Sequence, residues 1–168
     1  MSKIKKFFNK YREIIIYLIF GVLTTLVGMG IKFGLLALWK IAFNIPNNDT
    51  ESQMYLAGAY IAQGISWVAA VLFAFFTNRK WVFTKADRNA PILPQLGKFV
   101  GGRVATGAVE FIVTPLATML IGILVPQTTT IVILMWNLAE FIATAGVAVI
   151  VIIGNYIFSK LLVFKNKK

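Results

Sequence analysis

The sequence predicts an all-α integral membrane protein with four transmembrane helices. Hydrophobic residues make up 58% of the 168 residues and charged residues only 14%, against about 25% in an ordinary soluble domain. Four uncharged runs cover 14–31, 52–78, 111–139 and 141–159. Each reaches the roughly 18 residues that mark a transmembrane candidate. The polar residues are too few to cover this much apolar surface in water, which excludes a soluble globular domain.

The spans are expected at about 14–38, 55–77, 99–124 and 131–158, within a single domain that covers 1–168. A helix of about 20 residues crosses the hydrocarbon core, which is about 30 Å thick. The third span is the weakest by hydropathy because it contains Arg103 and Glu110.

Charge placement predicts the orientation. The net charge of +11 fits either nucleic acid or an anionic membrane surface. Most of the seventeen Lys and Arg precede the first span, lie between the second and third, or follow the fourth. The positive-inside rule then places both termini in the cytoplasm. We expect no nucleic-acid partner; instead, residues 2–12 should form an amphipathic interfacial segment that contacts anionic membrane lipids.

Two stretches of the chain resemble each other, which predicts an internal repeat. Residues 75–83 align with 156–164 at an offset of 81, with an aromatic, a small polar residue, a cation and Val-Phe in the same order. Residues 17–24 align with 99–106 at an offset of 82. Two parallel helical-hairpin repeats would produce this pattern. Shared topology alone is the alternative explanation.

Four ionisable residues fall within the predicted spans: Lys32, Arg103, Glu110 and Glu140. Such residues are costly in hydrocarbon and are functional candidates by default. Counting 1.5 Å per residue places Lys32 and Glu140 at similar depth near the outer face, where they could pair. Arg103 and Glu110 are seven residues apart and share one face of their helix. The alternatives are that either cation reaches a headgroup region, and that either carboxyl is protonated or has a structural partner.

Amide and indole side chains extend the polar pattern. They are Asn78, Asn155, Gln63 and Trp67. Singly, each is more often a helix–helix hydrogen bond. Together they predict a polar seam through a small bundle.

The sequence disfavours an enzyme. It contains no His and no Cys, and no Gly-x4-Gly-Lys-Ser/Thr phosphate loop. Acidic residues are too few for a metal-dependent sugar-nucleotide site. We therefore expect no metal, no cofactor and no catalytic residue, and a polar seam without catalytic groups favours transport.

With these residues in view, the chain resembles the GtrA-like family of small four-span bacterial membrane proteins. The resemblance covers about 14–164 and is carried by 17–21, 78–83, 99–103 with Glu110, and 155–164. Family members often have an Asn-Arg-like ending in the fourth span, where this chain has Ser-Lys-Leu-Leu at 159–162.

The resemblance implies a role in cell-surface polysaccharide or teichoic acid glycosylation at the bacterial cytoplasmic membrane. It implies movement of a polyprenyl-phosphate-linked monosaccharide, such as undecaprenyl-phosphate glucose, from the cytoplasmic to the outer leaflet. A polyprenyl-phosphate glycosyltransferase and an outer-face glycosyltransferase would be partners in the same pathway.

On this hypothesis the candidate residues divide into three groups. Arg103, Arg79 and Lys80 would capture the phosphate. The groove for the sugar would be lined by Glu110, Asn78, Asn155 and Gln63, with Trp67 stacking on the ring. Lys32 and Glu140 would form an outer gate.

Two other functions stay open: a non-transporting membrane subunit of a glycosyltransferase complex, and a proton-coupled exporter that uses Glu110. Four spans enclose little room, so we also expect a homo-oligomer.

Overall fold

The computed structural model describes residues 3–46, 49–129, 132–133 and 136–165. Its four α-helices are α1 (Lys3–Ala42), α2 (Gln53–Thr77), α3 (Ile92–Leu124) and α4 (Leu138–Phe158). A π-helix follows α2 at Asn78–Val82, and another follows α4 at Ser159–Val163. Pro126–Thr129 form a 3₁₀ turn, and β1 (Val132–Ile133) pairs antiparallel with β2 (Trp136–Asn137). In the described residues, four helices are long and apolar enough to cross a membrane, which confirms the predicted fold class.

Two helix boundaries differ from the sequence prediction. The segment 2–12 was expected to lie on the membrane before the chain turns inward, but α1 runs unbroken over 40 residues from Lys3. The first glycine is Gly21 and no proline precedes it, so nothing interrupts the helix. At 1.5 Å per residue α1 is about 60 Å long and extends well beyond a hydrocarbon core of about 30 Å.

The fourth helix begins at Leu138, not near 131 as expected. The segment 128–133 is a run of Thr, Ile and Val. β-Branched side chains lose rotamer freedom in a helix and favour extended backbone, and part of this segment forms β1. Its hydropathy therefore resembled a membrane span, although Val132 and Ile133 lie in a strand and the expected start at 131 lies outside the described residues.

The chain divides into two compact units, Met1–Ala86 and Asp87–Lys168. Each unit is a helical hairpin, with α1 packed on α2 in the first and α3 packed on α4 in the second. Small side chains lie at multiples of four residues on the buried face of the second helix in each hairpin. They are Gly58, Ala62, Ser66 and Ala74 in α2, and Ala139 and Ala143 in α4. Small residues at this spacing let two helices approach closely in a membrane.

Among the described residues, seven buried positions of the first unit fall on buried positions of the second at the offset of 81. The pairs are Gly58 with Ala139, Ala62 with Ala143, Ser66 with Val147, Ala74 with Asn155, Asn78 with Ser159, Val82 with Val163, and Phe83 with Phe164. A duplicated hairpin would produce this correspondence. The duplication and the orientation of the hairpins across the membrane stay predictions.

The loop before α2 is stabilised by local hydrogen bonds. Asp49 Oδ1 accepts from the backbone N–H groups of Glu51 and Ser52, at 3.2 and 3.0 Å. Ser52 caps α2, its Oγ accepting from the N–H of Tyr55 at 3.2 Å. The bonds from Ser52 lower the pKa of Asp49 below its ordinary value. They therefore stabilise the loop when the carboxylate is ionised, and this contribution is lost as the pH falls through the lowered pKa.

Gly58 lies directly under the ring of Trp39, whose indole N–H donates to the carbonyl of Met54 at 3.0 Å. A Cβ added at position 58 would overlap the indole ring. We predict that Gly58→Ala lowers the free energy of unfolding by about 1–3 kcal/mol, as overpacking commonly does. Thermal unfolding in detergent micelles measures the change.

Gly64→Ala is the matched control on the same helix. An added Cβ there meets nothing within 4 Å, and alanine is a better helix former than glycine by about 1 kcal/mol. This variant should melt at or above the wild-type temperature. Equal stability of the two variants would contradict the proposed close contact at Gly58.

Candidate functional site

The first unit ends in a cluster of cations and aromatic rings. In the π-helix that begins at Asn78, the N–H of Phe83 donates to the carbonyl of Asn78 at 2.9 Å. Asn78 and Phe83 are buried, and the Phe83 ring packs against Tyr17 with ring centroids 6.4 Å apart. This packing fixes the backbone from which Arg79, half-buried, and Lys80, exposed, project.

Lys80 also contacts an aromatic platform. Its Nζ lies 4.7 Å from the centroid of the Trp81 ring, and that ring stacks on Phe20 at 5.2 Å with an interplanar angle of 11°. A cation over an aromatic face is stabilised by the ring quadrupole and keeps its charge. Aromatic rings and cations together are typical of the membrane interface, where lipid phosphates lie.

The second unit ends in the same way. The N–H of Phe164 donates to the carbonyl of Ser159 at 2.7 Å, and the Phe164 ring packs against Phe99 at 6.1 Å. Lys160 takes the position that Arg79 has in the first unit, and its Nζ donates to the Tyr156 hydroxyl at 3.0 Å. Both units thus have a cation at this position of the turn, but the second unit has Ser159 where the first has Asn78.

Arg103 lies over the ring of Phe99, the same ring that packs against Phe164. Its guanidinium carbon is 5.2 Å from the centroid of Phe99, a ring that is only 1% exposed. Arg103 itself is half-buried. Within the described ranges the guanidinium forms no ion pair, so its N–H groups can donate to an anion. An arginine held by a ring face and not neutralised by a carboxylate is suited to bind phosphate.

A hydrogen bond between helices lies one turn further along α3. The Thr106 hydroxyl donates to Asn155 Oδ1 at 2.9 Å and is also 3.0 Å from the carbonyl of Gly102. Asn155 is 5% exposed, and Phe158 covers Gly102 so closely that a Cβ there would overlap its ring. These contacts join α3 to α4 beside Arg103. Asn155 therefore has the interhelical role that was the simpler expectation for a single amide.

The remaining candidates lie further from these clusters. Glu110 is exposed and, among the side chains that the structure describes, forms no hydrogen bond. Gln63 and Trp67 are exposed on α2, and the backbone carbonyl of Gln63 accepts from the Ser66 hydroxyl at 2.9 Å. Gln63 precedes Asn78 by fifteen residues, or about 22 Å along the helix. Gln63 and Trp67 thus lie at a different level along the helix from Asn78 and the cations that follow it.

Lys32 and Glu140 belong to different units, and their expected pairing stays a prediction. Lys32 is half-buried in the later part of α1. Glu140 is exposed in the first turn of α4, where the partial positive charge of a helix N-terminus favours a carboxylate.

No group of three or more His, Cys, Asp and Glu that could hold a metal is found in the described part of the chain. Each unit thus has cations beside aromatic rings, together with buried amide or hydroxyl groups.

A family model for the GtrA/DPMS transmembrane domain matches residues 16–164. The chain belongs to this family. Its relatives include the "Cell wall teichoic acid glycosylation protein GtcA" of Listeria innocua, 30% identical over 100% of this chain and 95% of the relative. The protein of the same name from Listeria monocytogenes is 31% identical over the whole of both chains. The "Uncharacterized membrane protein YwcD" of Bacillus subtilis is 29% identical over 90% of this chain and 96% of its own length.

No solved structure matches this member of the GtrA/DPMS family. The family match includes all ten candidate residues and both π-helices. With four helices that can span a membrane and bacterial relatives that it matches along nearly their whole length, the chain is a multi-pass bacterial membrane protein. Phe99 and Thr106 were part of the repeated sequence motif, but their contacts with Arg103 and Asn155 had no signal in the sequence.

We predict that Thr106→Val destabilises the second unit, because it leaves the buried Asn155 amide without its hydroxyl partner. Interhelical hydrogen bonds in membrane proteins contribute about 0.6 kcal/mol on average and up to about 1.7. Denaturant unfolding in micelles measures the difference.

The matched control is Thr24→Val in the first unit. The Thr24 hydroxyl donates to the carbonyl of Phe20 at 2.7 Å, within its own helix. Its aligned position in the repeat makes the two substitutions chemically equal, yet Thr24→Val should change stability little. A Thr106→Val protein as stable as the control would show that the bond to Asn155 contributes nothing.

Proposed function

We propose that this GtrA-family protein translocates a polyprenyl-phosphate-linked monosaccharide from the cytoplasmic to the outer leaflet for glycosylation of a cell-surface polymer such as teichoic acid. The observation that carries the proposal is Arg103, which lies over the Phe99 ring, forms no ion pair with any described residue and is one turn from the Thr106–Asn155 bond. The printed names of the Listeria relatives support the pathway. Undecaprenyl-phosphate glucose is the substrate we would test first.

The physical task of such a protein is confined to the headgroup. A sugar hydroxyl costs several kcal/mol, roughly, when it enters hydrocarbon without a hydrogen-bonding partner. The polyprenyl tail can stay in the bilayer throughout. A translocase therefore needs cations for the phosphate at the entrance and polar side chains for the hydroxyls further along.

The candidate residues supply both kinds of group. Arg79 and Lys80 lie in the basic, aromatic turn that follows α2, and Arg103 lies over the Phe99 ring within α3; these cations would bind the phosphate. Glu110 and Gln63 would accept from sugar hydroxyls. Trp67, 42% exposed, would stack on the sugar ring.

The other candidates have structural or outer positions. Asn78 and Asn155 are buried and would act with part of their amides while holding the helices. Lys32 and Glu140 would receive the headgroup on the outer side. These roles require no cofactor and no covalent step, so the proposed protein is not an enzyme.

Partners follow from the same chemistry. A cytoplasmic polyprenyl-phosphate glycosyltransferase would supply the lipid, and an outer-face glycosyltransferase would consume it and so draw transport outward. The basic start of α1, with Phe7, Phe8 and Lys10 exposed, would contact anionic lipids. A homo-oligomer remains part of the proposal, because each unit is a hairpin of only two long helices.

We expect purified protein in liposomes to expose a polyprenyl-phosphate sugar to the opposite leaflet. Arg103→Ala should lower the transfer rate by about ten- to a hundredfold, the range expected when charge-assisted hydrogen bonds of about 1.5–3 kcal/mol are lost. Glu110→Gln should also slow transfer, because the amide cannot replace a carboxylate that accepts from hydroxyls. Access of an outer enzyme to the labelled lipid gives the rate.

Lys98→Ala is the control for Arg103→Ala. It removes one cation from an exposed position on the same helix, five residues earlier, and should leave transfer unchanged. Transfer that is normal in both site variants would contradict the assignment. No transfer by folded wild-type protein would favour a non-transporting subunit of a glycosyltransferase complex, and drug resistance that depends on Glu110 would favour the exporter.

A further inference from the structure

Thr114 in α3 differs from most of the threonines that the structure describes in helices. Four hydroxyls donate to a backbone carbonyl three or four residues earlier, those of Thr24, Thr25, Thr77 and Thr118, and the Thr106 hydroxyl donates to Asn155. The Thr114 Oγ1 atom is buried and, among the described residues, has no hydrogen-bond partner. Burying a hydroxyl without a hydrogen-bond partner costs desolvation free energy that no bond offsets.

The residue after Thr114 weakens the helix at the same point. Pro115 has no N–H group, so the carbonyl of Phe111 loses the donor that an α-helix would supply. The proline ring also crowds that carbonyl. In this turn of α3, a donor hydroxyl and an acceptor carbonyl are thus both left without their usual helical partners. A ligand that carries hydroxyl groups could satisfy both.

Thr114 also continues the polar side of α3. Arg103, Thr106, Glu110 and Thr114 follow one another at spacings of three, four and four residues, which places them along one side of a helix. Thr114 lies about 6 Å beyond Glu110 and about 16 Å beyond Arg103 along the axis. This separation exceeds the length of one monosaccharide, so a phosphate at Arg103 and a sugar at Thr114 represent successive positions of a moving headgroup.

We propose that the Thr114 hydroxyl binds a hydroxyl of the sugar headgroup partway along α3, with Glu110 one turn before it. This inference rests on the proposed translocation function and adds the residue at which the sugar, and not the phosphate, is recognised. This hydrogen bond would give the Thr114 hydroxyl the partner that it lacks in the protein alone.

The experiment compares wild-type protein with Thr114→Val, Thr114→Ser and Thr118→Val. Valine keeps the shape of threonine and removes only the hydroxyl. Thr118 is the matched control because it lies one turn later on α3 and its hydroxyl donates to the carbonyl of Thr114 at 3.0 Å. Binding in lipid nanodiscs is measured for polyprenyl-phosphate glucose and for bare polyprenyl phosphate, and the transfer rate is measured in liposomes.

We expect Thr114→Val to weaken binding of the sugar lipid by about three- to tenfold, the effect of one lost hydrogen bond, and to slow transfer. Binding of bare polyprenyl phosphate should not change. Thr114→Ser should bind as the wild type does, and Thr118→Val should bind both lipids normally. Thr114→Val should also unfold no more easily than wild type, since it removes a buried hydroxyl that had no partner.

The outcomes separate the two proposals. If wild-type protein transfers the lipid but Thr114→Val binds and transfers normally, the role of Thr114 is wrong and translocation stands. If Thr114→Val loses both lipids equally or melts at a lower temperature, its role is structural and the inference is also overturned. If wild-type protein moves no lipid and binds the two lipids equally, the proposed function is wrong and the Thr114 inference falls with it.

Discussion

The hydrocarbon core of a bilayer offers polar groups no hydrogen-bond partner, and this constraint explains most of the contacts that the polar groups of the chain form. Backbone N–H and C=O groups pair within the four long helices. Threonine hydroxyls such as that of Thr24 bond back to their own helix. Where a side chain needs a partner across helices, Thr106 and Asn155 provide it for each other. Arg103 rests on the Phe99 ring, a contact that keeps its charge available. The groups left unsatisfied are therefore informative, because in this environment they indicate where a polar ligand would be stabilised.

The two hairpins have similar packing and different chemistry. Tyr17 on Phe83 in the first unit has the same geometry as Phe99 on Phe164 in the second, with interplanar angles of 54° and 56°. At the aligned positions where the second unit has Arg103, Glu110 and Asn155, the first has Gly21, Gly28 and Ala74. Glycine and alanine serve close helix approach, whereas the second set supplies charge and hydrogen bonds. At these three positions, the first hairpin thus has residues that favour close packing, and the second has residues that supply charge and hydrogen bonds. The first unit has its own candidates elsewhere, in Lys32, in α2 and in the turn that follows α2.

Hydropathy was enough to predict the helices but not all of their ends. It marks which residues tolerate hydrocarbon, so the charged start of α1 was separated from the span although its backbone is continuous. It also extended the fourth span back to about 131, whereas Val132–Ile133 and Trp136–Asn137 are strands and α4 begins at Leu138. Residue type predicted Arg103 and Asn155 as candidates. Their partners depend on how one helix is rotated against another, which the spacing along a single helix does not contain. The missing bond of Thr114 is a still finer property, because four other helical threonines donate to a backbone carbonyl of their own helix.

The hairpin organisation has a consequence for how the protein is made. The contacts that define each unit join helices that are neighbours in the chain, and such local contacts form quickly. Each hairpin can therefore pack as soon as its own two helices have been synthesised. The first hairpin needs no residue of the second for its helix–helix contacts, whereas Thr106 on α3 meets Asn155 only when α4 follows.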